Sequence, residues 1–305
     1  MKIAVIGSYG VGLTMRVPRM PGAGETLTGD AFEEGPGGKG SNQAIGAARL
    51  GADVSLLTAI GTDDYGRAAR ALWEKEGVDA SGILISDDAP TMAGFIMVEP
   101  SGENRIAIAP GALDLLDASH VESFRGEIAA SDIVLVSMEI PLSAVAAALR
   151  IGREEGVRTV LNPAPARPLN AELLATVDII TPNQTEARII LDLDRAPGDD
   201  EGLARLIAER VDGAVVLTRG SDGAITVENG EVGHIDPILA TQVVDTTGAG
   251  DSFNAALVVS LAGGSSLREA AQFAAKAGAY TVATSGVVPA LPTQHDLNST
   301  IGVSQ

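Results

Sequence analysis

Short apolar runs recur along the chain and alternate with stretches whose apolar residues return every three or four positions. Lys2–Ile6, Asp53–Ala59, Ile133–Ser137, Thr159–Asn162, Ile179–Thr181 and Ala214–Thr218 read as buried strands. Between them, Gly40–Leu50 gathers small and apolar residues along one helical face. Tyr65–Glu76 is amphipathic and stops at Gly77, and Ser143–Glu155 is Ala-rich and stops at Gly156. Strand and helix alternating at this spacing predict an α/β fold, a doubly wound, mostly parallel sheet with helices on both faces. Ligands of such sheets sit beyond the carboxyl ends of the strands.

Two regions depart from that pattern. Residues 11–34 carry two short alternating stretches around Pro18, Pro21 and Gly24. Residues 92–110 alternate on both sides of Pro100-Ser101-Gly102-Glu103-Asn104, the pattern of a β-hairpin. Together they predict a small β subdomain inserted near the substrate end of the main sheet. A lone small sheet leaves an edge and side chains such as Met92, Phe95 and Ile96 exposed, so a second subunit is expected to cover it. No linker divides the chain, and residues 1–305 are expected to form a single domain.

Composition narrows the classes. Hydrophobic residues make up 45% and charged residues 20% of 305 positions, which is globular rather than disordered. Aromatics are only 3%, so the core must be built from Ala, Val, Ile and Leu. The net charge of −19 argues against non-specific binding to nucleic acid or an anionic membrane. There is no cysteine, and His120, His234 and His295 lack ligand spacing, so no structural zinc is expected. The opening apolar stretch is too short for a signal peptide, and no run of about 18 apolar residues occurs. The default expectation is a soluble cytoplasmic protein.

Four segments carry chemistry. In Asp245-Thr246-Thr247-Gly248-Ala249-Gly250-Asp251-Ser252-Phe253, a glycine turn feeds an apolar helical run. Backbone N–H groups and the helix dipole make an anion site there, and Asp251 in the first turn is placed to take a proton from an attacking alcohol. Its alternative role is to cap the helix. Gly35-Pro36-Gly37-Gly38-Lys39-Gly40-Ser41-Asn42-Gln43 likewise leads into a helix. Lys39 offers phosphate a charge, and Asn42 offers both donor and acceptor. Neither this segment nor Gly7-Ser8-Tyr9-Gly10-Val11-Gly12 fits a Walker A or dinucleotide fingerprint; both could be simple tight turns. Thr181-Pro182-Asn183-Gln184-Thr185-Glu186 opens a helix with Asn183 and Glu186 on one side. That spacing is also a good N-cap, but beside two anion loops Glu186 becomes a candidate for hydrated Mg²⁺. Leu217-Thr218-Arg219-Gly220-Ser221-Asp222-Gly223 closes a strand with a turn suited to nucleotide phosphates.

In this order the segments resemble the signatures of the ribokinase-like (PfkB) carbohydrate kinases, and the resemblance covers nearly the whole chain. It implies a Rossmann-like core with a β lid, often used for dimerisation. It implies ATP and Mg²⁺, with transfer of the γ-phosphate to a hydroxyl, expected to be a hydroxymethyl, of a sugar or related polyol. Asp251 would be the base, with Gly248, Ala249 and Gly250 as the anion hole. Gly38, Lys39, Asn42 and Glu139 would meet the substrate. Asn183, Thr218, Gly220, Ser221 and Gly223 would meet the nucleotide. Where family members use a monovalent cation, here K⁺, the matching positions are Asp245, Thr247, Thr281, Thr284 and Gly286.

One departure bears on substrate. Ribokinases follow the first strand with Gly-Ser-x-Asn-x-Asp, whose Asn and Asp hold the sugar; Gly10 and Gly12 stand there in this chain. The loss of a carboxylate makes ribose a poor expected substrate and leaves space, with Tyr9, Met15 and Arg16 as candidate pocket lining or as lid packing and surface. Other readings are a nucleoside kinase of the same fold or a non-catalytic sugar- or nucleotide-binding regulator. The retained Asp251 speaks against the regulator. A nicotinamide oxidoreductase is disfavoured because no G-x-G-x-x-G follows the first strand.

Overall fold

The computed structural model describes residues 1–192, 198–240 and 242–299. Its strands are β1 (Lys2–Ile6), β2 (Gly10–Arg16), β3 (Ala31–Gly37), β4 (Asp53–Leu57), β5 (Ala59–Gly61), β6 (Val78–Asp79), β7 (Leu84–Ser86) and β8 (Ala93–Val98). There follow β9 (Asn104–Ala109), β10 (Ile133–Ser137), β11 (Arg158–Asn162), β12 (Ile179–Ile180), β13 (Ala214–Thr218), β14 (Ala224–Glu228) and β15 (Glu231–Ile235). The main sheet has the order β15-β14-β13-β12-β11-β10-β1-β4-β6. Pairing is parallel from β6 through β13 and antiparallel for β13-β14-β15.

Both faces of this sheet are covered, which is why its central strands are continuous apolar runs. Alternate residues of β1 enter two different cores. Ile3 and Val5 pack with Ile45, Ala255 and Val258. Ala4 and Ile6 pack with Val145, Leu149 and Leu113 on the opposite side. Helix Ala249–Ala262 is buried on nearly every side, between helix Lys39–Arg49 and helix Leu267–Thr281. An apolar run without polar face suits that place. Arg49 ends its helix by pairing with Glu76 (2.8 and 2.9 Å) and donating through Nη1 to the carbonyls of Val288 and Leu291 (2.7 and 2.8 Å).

The two segments predicted to form a β subdomain build a four-stranded sheet in the order β3-β2-β8-β9. The hairpin β8–β9 turns at Glu99–Glu103, with Gly102 at φ 87°. Of the three side chains expected to be exposed, only Phe95 is (55%). Met92 is buried in the second core, at the sheet's root, and Ile96 is half-buried.

Two further differences have local causes. The predicted strand Asp53–Ala59 breaks at Thr58: β4 stays in the main sheet and β5 pairs with β7 in a two-stranded sheet. The antiparallel hairpin β14–β15 was not predicted. Its turn, Asn229-Gly230, has both residues at positive φ (52° and 80°), the geometry of a two-residue hairpin loop. At the lid's root, Asp63 caps helix Asp64–Glu76 by accepting from the Gly66 amide (2.8 Å). Its carboxylate also accepts from the Thr91 amide and hydroxyl, each at 2.7 Å.

Candidate active site

The carboxyl ends of β1, β10 and β11 meet the starts of helices Lys39–Arg49 and Ala249–Ala262. Gly38 caps the first helix at φ 92°, where a Cβ would come within 2.6 Å of Tyr9 Cα, so only glycine lets the loop pass there. A Cβ on Gly40 would likewise strike Gly7 Cα at 2.6 Å. This close approach brings Lys39, Asn42 and Gln43 over the end of β1.

Gly248, at φ 82°, caps the second helix. The Ala249 amide turns back to Thr246 O (3.3 Å) and the Ser252 amide makes the first helical bond to Gly248 O (2.9 Å). The amides of Gly250 and Asp251 have no backbone carbonyl partner among the described residues. They are the donors that an anion at this turn would meet. The Gly250 carbonyl is held by Asn254 Nδ2 (2.8 Å), and Asn254 Oδ1 accepts from Thr181 Oγ1 (2.6 Å).

Asp251 is buried, and both its oxygens are engaged, by Asn42 Nδ2 (2.8 Å) and Gln43 Nε2 (3.1 Å). Gln43 Nε2 also donates to Asn162 Oδ1 (2.9 Å). Burial raises the Asp251 pKa above the ordinary carboxylate range, against the opposing pull of the Lys39 charge and the Asn42 bond. For Lys39, burial disfavours the charge, but Asp251, Glu139 and Glu186 outweigh it and hold the pKa above the usual lysine value. Glu139 accepts from the Ser8 hydroxyl and from the Lys39 amide (2.9 Å).

Lys39, Asn183, Glu186, Thr218, Thr247, Gly248, Gly250 and Asp251 line one cavity of about 320 Å³, with Asn162, Thr181 and Asn254 among the other walls. Residues predicted from separate stretches thus converge. A larger, more open hollow of about 700 Å³ between Glu201, Arg205, Arg219 and His234 contains none of the predicted residues. Gly220, Ser221 and Gly223 lie in the turn that closes β13 on β14; of that segment only Thr218 reaches the cavity. Asn183 and Glu186 form a capping box. The Asn183 side chain takes the Thr185 and Glu186 amides, and Glu186 takes the Asn183 amide at 2.8 Å. Burial raises the Glu186 pKa, and Asp251 adds to the rise. Asp245 joins two loops, accepting from the amides of Thr247 (2.9 Å) and Gly286 (3.2 Å). Thr281 is buried, its hydroxyl donating to Ala277 O, while Thr284 is exposed on the following turn.

Residues 1–294 match the model of the pfkB family of carbohydrate kinases. The chain is 37% identical to ribokinase of Haemophilus influenzae over 96% of each sequence. It is 35% identical to ribokinase of Schizosaccharomyces pombe, over 100% of this chain and 99% of that one. The fold matches the structure of Arabidopsis thaliana ribokinase complexed with ribose and ATP, with a TM-score of 0.92, 29% identity and 99% of both chains covered. The chain belongs to the pfkB carbohydrate kinase family.

Several residues of this kinase site escaped sequence reasoning. Asn162 ends β11 and Ser8, quoted only as part of a glycine segment, lies two residues beyond β1; both stand at the carboxyl ends of strands, a position that could have drawn attention to them. Gln43 stood within a quoted motif, but its contact with Asp251 spans 208 positions. Arg167 had no local signal. It donates to Met138 O (2.9 Å) and Ile140 O (3.0 Å) and so braces the loop that carries Glu139. Tyr9, a candidate for pocket lining, is instead buried edge-on against Trp73 (centroids 5.1 Å apart).

Proposed function

We propose that this ATP-dependent carbohydrate kinase moves the γ-phosphate to a hydroxymethyl group of a sugar or related polyol, with Asp251 as the general base. The observation that carries the assignment is the buried Asp251 carboxylate, clamped by Asn42 and Gln43 beside the Gly248–Gly250 turn and sharing a cavity with Lys39. A hydroxyl in reach of Asp251 gives up its proton as its oxygen bonds to the γ-phosphorus. The bond from phosphorus to the β,γ-bridging oxygen breaks, and ADP leaves. The Gly250 and Asp251 amides, without a backbone partner among the described residues, suit the charge that develops on the phosphoryl oxygens. Gly38, Asn42 and Glu139 are assigned to acceptor hydroxyls. Asn183 and Thr218 are assigned to the nucleotide, with Gly220, Ser221 and Gly223 behind them.

Mg²⁺ fits the donor set as an ion carried by phosphates and water. Glu186 supplies one carboxylate, and the described residues include no cage of three or more His, Cys, Asp or Glu. Mg²⁺ would neutralise phosphate charge. K⁺ is assigned to the loops that Asp245 joins, with Thr247, Thr281, Thr284 and Gly286 around it; it would hold the anion-binding turn in shape. The dependence on ATP favours a cytoplasmic location, and the exposed lid favours a homodimer.

The test is ADP release across a panel of sugars and polyols by wild type and Asp251→Asn, with calorimetric titration of ATP. Turnover lost in the variant while ATP still binds is expected. Undiminished turnover in a folded Asp251→Asn protein ends the assignment.

A further inference from the structure

Side chains of β2 alternate between two surroundings. Val11 packs in the core that holds Tyr9 and Trp73, with Leu13 against it. On the other face, a Cβ at Gly10 would point at Met92, in the core of Met138 and Ile140 that flank Glu139. Register places Gly12 opposite Gly35 of β3 and Gly94 of β8, and Gly94 opposite Ile108 of β9. Gly10 pairs with Gly37, which leads straight into Gly38 and Lys39, so this end of the face adjoins the active site. Its surface is glycine backbone beside Ile96 and Ile108. Thr14 and Arg16 share the face but lie further out along β2.

Gly10 and Gly12 are not equivalent. A Cβ at Gly10 would stand 2.9 Å from Met92 O and collide with the Met92 methyl, so the buried Met92 already fills that place. A Cβ at Gly12 meets only Ile96 Cδ1 at 3.6 Å and Gly35 O at 3.8 Å, which is ordinary contact with room beyond.

We infer that Gly12 sets substrate choice, and that the acceptor is a hydroxyl-poor sugar that turns a deoxy carbon or an apolar substituent toward Gly12, Gly94 and Ile96. This rests on the kinase reading above. A sugar hydroxyl pressed against this face leaves water without meeting a side-chain partner, whereas an apolar group loses nothing there. A wall of this kind discriminates by about ten- to a hundredfold.

The experiment measures kcat/KM by ADP release for ribose, 2-deoxyribose and phenyl β-D-ribofuranoside, with the full chain as wild type, Gly12→Asp and Gly12→Ser. Thermal melts monitor folding. In wild type, one of the two hydroxyl-poor acceptors is expected to exceed ribose by at least about tenfold. Gly12→Asp is expected to raise ribose relative to both by a similar factor. Gly12→Ser should move the ratio the same way by less, and it carries the test if the aspartate variant does not fold. Ribose as the best wild-type acceptor overturns the inference, as does an unchanged ratio in a folded variant. Absence of Asp251-dependent ADP release with every acceptor instead defeats the kinase assignment itself.

Discussion

Asp251 is surrounded by protein, and its charge is maintained by neighbours rather than by water. Burial favours the neutral acid, while the Lys39 ammonium and the Asn42 and Gln43 amides favour the carboxylate. As the proposed base, Asp251 must be ionised to work, so activity should fall on the acid side with a midpoint above the ordinary Asp value of about 3.9. Lys39→Gln removes the favourable charge and should push that midpoint higher, which a pH profile of kcat/KM would detect. Asp251→Ala should lower kcat by about two to four decades with nucleotide affinity retained. The raised pKa also acts on stability. The neutral acid is the form that folding favours, and this contribution disappears as pH rises through the folded pKa. Unliganded Asp251→Asn should therefore be no less stable than wild type at pH 7, read by urea denaturation. The place of Asp251 beside the anion-binding turn was legible because an acid directly after a glycine turn is a local pattern. The parts played by Gln43, Ser8 and Arg167 were not, since each is defined by a partner far along the chain.

Elements are joined in this fold by single carboxylates. Asp63 ties the start of helix Asp64–Glu76 to Thr91, just before β8 enters the lid sheet. Desolvation pushes its pKa up, but the hydrogen bonds from Gly66 and Thr91 prevail and hold it below the ordinary value. Stability from a depressed carboxylate is present above the unfolded pKa of about 3.9 and is lost as pH falls through the folded one. Wild type should thus exceed Asp63→Asn in urea melts at pH 7, with the gap narrowing as the medium is acidified below about pH 4. Faster amide exchange over 91–98 in the variant would locate the loosening in the lid. Asp245 joins two loops in the same manner, and K⁺ should raise turnover by ordering them. Equal rates in Na⁺, K⁺ and a bulky organic cation would remove K⁺ from the account and leave the phosphotransfer intact. The parallel strands were readable because burial on both faces makes them uniformly apolar. The β14–β15 hairpin carried its own signal, Asn229-Gly230 between alternating residues, and went unread. The break at Thr58 had none, because β5 pairs with β7 rather than with the main sheet.

At the scale of the molecule, the lid sheet is apolar on both faces. Met15 (39% exposed), Phe32 (59%) and Phe95 (55%) share one face by register, and Ile106 (58%) and Ile108 (57%) share the other. Among the described residues, its outer strands, β3 and β9, are unpaired on one side. Such a surface is costly to leave in water. Light scattering at micromolar concentration should give the mass of a dimer, and Phe95→Glu should shift it to monomer with the fold intact by circular dichroism. A wild-type monomer would count against assembly through the lid. The expectation of an exposed lid held for Phe95 and failed for Met92, since alternation along a strand shows which residues share a face and not what covers each end.

The clamp on Asp251 also constrains how the chain can be made. Asn42 lies 209 positions before the carboxylate it holds, and Arg49 lies 242 before the Leu291 carbonyl that fixes its helix end. On a ribosome adding about 5–20 residues per second, helix Lys39–Arg49 emerges roughly 10–40 s before helix Ala249–Ala262 exists to cover it. Through that interval Ala44, Ile45 and Ala47 lack a permanent partner on that side, so the nascent chain is expected to depend on chaperones until helix Ala249–Ala262 has emerged. Slowing elongation between the two helices should lengthen that dependence, and catalytic competence should appear only after the chain through Leu291 has emerged.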